Sequence, residues 1–209
     1  MIKVTMNDYK NTACTWILAA FLLLIPTSLS FSQEIPSADV QIAGALSPAP
    51  DDLKEGAQVL GFNDSGVMIE LRAGSNGFIC LADNPMDDRF HASCYHESLE
   101  PFMARGRELR AEGKGRDENR SIRLEEIKRG QLEMPEEPAA LYQLFGKKEA
   151  LNMETGEVSN VNPLYVMYIP YATTESTGLS SQPLMPGGPW LMDAGQPWAH
   201  IMYSPGQAN

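Results

Sequence analysis

The sequence predicts an α+β fold: a small antiparallel, β-rich core with two helices inserted between an N-terminal meander and C-terminal strands. Three observations lead there. Residues 57–82 hold three short strand-like runs separated by Gly/Asn/Ser clusters. Residues 98–129 switch to helical spacing of apolar positions with charges between them. Residues 164–169 are β-branched and aromatic and stop at Pro170.

Ahead of that fold, residues 1–32 read as a signal peptide. Lys3 and Lys10 precede an apolar run over 13–25, Pro26 ends it, and Ser30 and Ser32 supply small residues before Gln33. The run is shorter than the roughly 20 residues a bilayer-spanning helix needs. The rival reading is an uncleaved anchor. Residues 33–50 are rich in Ser, Ala and Pro and read as a flexible lead-in. Residues 51–209 then form one domain, within the usual size of a single core.

Within the domain, residues 51–55 suit one helical turn. The runs 57–62 and 67–72 flank Asn63-Asp64-Ser65-Gly66 as a hairpin, with Val67, Ile69 and Leu71 on one face. A second turn, 74–77, leads to a third strand at 78–82, completing a meander. Residues 83–90 read as a polar loop. Leu99, Phe102, Met103, Gly106 and Leu109 mark the first helix, with Ser98 as its cap and Gly113 and Gly115 as its stop. A shorter helix over 121–129 ends at Gly130. A short strand is expected at 141–145, a central strand apolar on both faces at 164–169, and two closing strands at 190–193 and 199–203.

Cys80 and Cys94 are the two cysteines outside the leader. In an exported chain they read as a disulfide closing a turn-rich loop; the alternative is a pair of free buried thiols. Closing about 15 residues stabilises by roughly 3 kcal/mol in the chain-entropy view.

Charge excludes some partners. The chain carries 16 basic and 27 acidic residues, a net charge of −11, and loss of the leader makes it one unit more negative. Nucleic-acid phosphates and an anionic membrane surface would be repelled. From residue 159 onward only Glu175 and Asp193 are charged, amid many aromatic, Pro and Gly residues. That segment reads as core strands with tight loops or as a neutral binding surface.

Two stretches carry a resemblance. Residues 74–85, from Gly74-Ser75-Asn76-Gly77-Phe78-Ile79-Cys80 onward, and residues 187–202, ending Pro197-Trp198-Ala199-His200-Ile201-Met202, resemble an uncharacterised family of bacterial exported proteins. The resemblance implies bacterial export, periplasmic or extracellular, and places His200 in the shared segment. It implies no activity and no cofactor.

Three kinds of function are open. The first is a non-catalytic binding or structural module of the envelope, taking a neutral small molecule or an envelope protein through Trp190, Trp198 and Tyr171. The second is copper or zinc binding through His200 and Met202, with Met192 facing them from the neighbouring strand. Methionine at periodic apolar positions is more often core filler. The third is hydrolysis through His200 and Asp193 with a serine among Ser176, Ser180 and Ser181, although no Gly-x-Ser-x-Gly elbow is present. No residue is assigned a catalytic role.

Overall fold

A computed structural model describes residues 34–206, so the leader lies outside the described residues. The fold is α+β. Eight strands form one sheet in the order β2-β1-β3-β4-β5-β6-β8-β7, with every pairing antiparallel except β1 with β3. The strands are β1 (Gln58–Phe62), β2 (Met68–Arg72), β3 (Phe78–Leu81), β4 (Arg89–His96), β5 (Ala139–Lys147), β6 (Asn162–Tyr168), β7 (Trp190–Met192) and β8 (His200–Tyr203). The helices are α1 (Ala38–Ala45), α2 (Asp51–Lys54), α3 (Glu100–Ala111), α4 (Arg116–Lys128) and α5 (Thr174–Thr177). As expected, α3 and α4 are inserted between the early and late strands.

The expected lead-in contains an ordered helix. Ser37 caps α1, and Val40, Gln41, Gly44 and Ala45 are buried on the sheet. Small residues let the helix come close: a Cβ on Gly44 would lie 2.8 Å from Leu151 Cδ1. Gln41 replaces sheet partners at the end of β1, donating to Phe62 O and accepting from Phe62 N at 2.8 and 2.7 Å.

The expected meander is also corrected. β3 does not pair with β2 but passes the start of β1 and lies parallel on its far side. The link closes on Gly56 O, which accepts from Ser75 N at 2.7 Å. Gly74 makes the crossing possible, because a Cβ there would lie 2.5 Å from Gln58 N. Gly77, at φ +71°, then turns the chain into β3.

Strand β4 begins inside the expected polar loop. It is eight residues long and alternates: Phe90, Ala92 and Cys94 point to one face, His91, Ser93 and Tyr95 to the other. Cys80 and Cys94 are therefore cross-strand partners in a hairpin, rather than the ends of an irregular loop.

Leu99, not Ser98, stands at the cap position of α3 and makes no side-chain cap; His96 Nδ1 accepts from Ser98 N in the 3-10 turn before it. Gly113 ends α3 at φ +79°, whereas Gly115 occupies the cap position of α4, which starts five residues earlier than expected. β5 runs nine residues and is central to the sheet.

Each face of the sheet has its own cover. α3 and α4 lie over Ile79, Tyr95, Leu141, Val166 and Tyr168, joined by Leu99, Phe102 and Trp198. α1 lies over Val59, Phe78, Cys80 and Cys94 on the opposite face. Full burial of a side chain such as Leu99 is worth about 1.5–3 kcal/mol. β6 departs from its expected two-sided burial: Val166 and Tyr168 are buried, while Tyr165 and Met167 on the other face are each 39% exposed. That face is covered by α1 only toward β1, β3 and β4, which leaves Tyr165 in contact with Tyr142 and Tyr203 in an open aromatic row.

Candidate functional site

A concavity of ≈ 1200 Å³ opens on the helix-covered face of the sheet between α3 and the β1–β2 end. Its apolar lining comes from Leu60, Leu81, Leu141 and Met103, and its rim from Val67 and Ile69, 56% and 40% exposed. Ile69 is the register partner of Gly61, on the face that α1 approaches, so the side chains β2 turns to the groove face are Met68 and Glu70, opposite Phe62 and Leu60.

The polar side of the groove belongs to β4, β5 and α3. His91 stacks flat on Phe145 with ring centroids 4.5 Å apart. Gln143 Nε2 donates to His91 Nε2 at 3.1 Å, which puts the imidazole proton on Nδ1. Burial lowers the His91 pKa below its ordinary value, so the ring is neutral near pH 7. Asp83 fixes this residue through the backbone, accepting from His91 N at 2.8 Å while Lys148 Nζ holds its other oxygen at 3.0 Å. Burial raises the Asp83 pKa against the opposing pull of those donors.

A closed polar ring stands beside it. Tyr95 OH donates to Glu100 Oε2 at 2.5 Å, Arg107 Nη1 donates to Tyr95 OH at 2.8 Å, and Arg107 Nη2 pairs with Glu100 Oε1 at 2.5 Å. Burial drives the Tyr95 pKa well up, so its hydroxyl stays protonated. Arg107 is thus satisfied within the protein. Ser93, 5% exposed, lines the groove between Tyr95 and His91. The arrangement combines an apolar floor with hydroxyl, amide and neutral imidazole groups along one wall, and Glu70, Asp87, Arg107, Glu108 and Arg110 add charge to its lining.

The residues singled out from the sequence are dispersed. Trp198 is core: it is 6% exposed, stacks on Phe102 at 5.9 Å and carries Arg120 5.1 Å above its ring. Of the two readings open for the segment from residue 159 onward, core or binding surface, Trp198 takes the first. Trp190 is half-buried on the helix-side face of β7, and Tyr171 is 57% exposed in the turn after β6 at φ +60°. His200 Nδ1 lies 2.8 Å from Trp198 O, and its ring packs 5.0 Å from that of Tyr168. Burial lowers the His200 pKa, keeping it neutral.

The hydrolytic set is not assembled. Asp193 pairs with Arg120 at 2.6 Å instead of orienting His200. Ser176 is engaged in the capping box of α5, where its Oγ accepts from Thr173 N at 2.9 Å. Met192 and Met202, by contrast, are placed with His200 as expected: Met192 is its direct partner on β7, and Met202 is two residues along β8 on the same face. Among the described residues no three His, Cys, Asp or Glu side chains converge as a metal-binding group.

The groove escaped the sequence reading because its lining is drawn from all of β1 to β6 and from α3, separated stretches that each resemble ordinary core. The available signal was the period-two alternation of 89–96, which puts His91, Ser93 and Tyr95 on one face of a strand. Among known proteins, no family, no curated protein and no solved structure matches the chain.

Proposed function

We propose that this chain is an exported, non-catalytic binding module of the bacterial envelope that takes a small, largely apolar neutral molecule in the groove between α3 and β1–β2. One observation carries the reading: an open groove of ≈ 1200 Å³ whose apolar floor meets the fixed polar wall of Ser93, Gln143 and His91. Gln143 already occupies His91 Nε2, so the imidazole contributes a positioned Nδ1–H donor rather than a free base. Export is supported by the lysine-apolar-serine order of residues 1–32, by the Cys80–Cys94 bond, and by the resemblance of 74–85 and 187–202 to exported bacterial proteins. Among the described residues no helix is long and apolar enough to cross a membrane.

Titration with N-phenyl-1-naphthylamine, a neutral apolar fluorophore, tests the binding claim. The expected result is saturable one-to-one enhancement, weakened at least about tenfold, or 1.4 kcal/mol, by Ala104→Trp on the α3 wall. Absence of saturable binding to folded protein, or binding indifferent to that substitution, overturns it. Export has its own check: the mass of protein recovered from the envelope of a bacterial host should place the first residue at or near Gln33.

A further inference from the structure

The β7–β8 corner of the sheet places four side chains together. Trp190 is the register partner of Met202, and Met192 is the register partner of His200. Cross-strand partners point to one face, as do residues two apart along a strand. The four therefore make a two-by-two patch on the helix-side face, each half-buried, bordered by Val166 and Tyr168 of β6.

The histidine in this patch is set up as a ligand. Its Nδ1–H donates to Trp198 O at 2.8 Å, which fixes the ring and leaves the Nε2 lone pair unused among the described hydrogen bonds. A backbone carbonyl holding the other ring nitrogen is the usual support of a metal-bound imidazole.

We propose that His200, Met192 and Met202, on the same face as Trp190, form a site for one soft monovalent cation, Cu(I). Two thioethers and an imidazole are soft and borderline donors that suit Cu(I). The hard donor nearest in sequence, Asp193, is already paired with Arg120 at 2.6 Å. A set without a free carboxylate selects against calcium, which takes oxygen ligands. The site lies on β7 and β8 and is independent of the groove.

Silver(I), a redox-inert stand-in, tests this without a reductant, so the Cys80–Cys94 bond stays closed. Free thiols are first blocked with N-ethylmaleimide, and the full chain is titrated with silver nitrate in chloride-free buffer. The expected outcome is one silver per chain by native mass spectrometry with quenched tryptophan emission. Met192→Leu and Met202→Leu nearly preserve volume and should keep the melting temperature. Each should weaken binding by at least about tenfold, as should His200→Gln. Met167→Leu, on the opposite face, should change nothing. No stoichiometric silver, or binding unchanged in both thioether variants, overturns the site.

Discussion

Cys80 on β3 and Cys94 on β4 stand directly opposite each other, with Cα atoms 4.0 Å apart and no solvent exposure. The pair lies beneath α1, where Cys94 Sγ is 3.2 Å from Ala45 O. A bond in this place staples the hairpin and also shapes the surface on which α1 rests. Mature protein should show no reactive thiol until unfolded and reduced. Reduction should lower stability by roughly 3 kcal/mol, as expected for a loop of this length. Urea unfolding with and without reductant measures the difference; equal midpoints would mean that the covalent link adds nothing.

Asp83 connects the turn after β3 to both His91 and Lys148. Its side chain is 7% exposed and that of Lys148 is 30% exposed, so the pair is shielded on one side only. Asp83→Ala leaves a buried backbone donor unsatisfied and should destabilise by about 1–3 kcal/mol. It should also weaken groove binding, because His91 loses its anchor. A variant as stable as wild type would show that this bridge does not hold the wall of the groove.

Burial depresses the pKa of both His91 and His200 below 6.5. The unfolded chain then takes up protons before the folded chain does, so stability rises with pH in that region. The full contribution is present above about pH 6.5, and it is lost as pH falls below that value through the folded pKa values. Melting temperature should therefore drop between pH 7 and pH 5, and a double His91→Gln, His200→Gln variant should have a flatter profile. A slope that survives in the double variant would assign the effect to other groups.

How much of this was legible in the sequence depends on how local the determining physics is. α3 and α4 were visible because apolar residues recur at helical spacing and Gly113 and Gly130 supply left-handed stops. The cysteine pair was visible because nothing else outside the leader competes for it. α1 was hidden because its buried residues are small or polar, Val40, Gln41, Gly44 and Ala45, and gain their burial from close approach rather than bulk. The parallel pairing of β3 with β1 was hidden because a short link serves a hairpin or a crossing equally; the deciding contact, Gly74 against Gln58, is tertiary. For Trp198, among Pro and Gly residues, the sequence left core and binding surface both open; what decides is the packing of Phe102 and Arg120, nearly a hundred residues earlier at most. The His200–Met192 pairing came through because two short strands joined by a tight turn leave few registers open.

Amide chemical-shift mapping of the mature protein at saturating N-phenyl-1-naphthylamine tests the central claim most directly. If the groove is the binding site, the largest shifts fall on Leu60, Leu81, Ser93, Met103 and Gln143. Those residues are distant in sequence: Leu60, Leu81, Ser93 and Gln143 form one row across β1, β3, β4 and β5, and Met103 faces them from α3. Shifts confined instead to Tyr142, Tyr165 and Tyr203, the open aromatic row on the opposite face, would contradict the account and move the binding surface across the sheet.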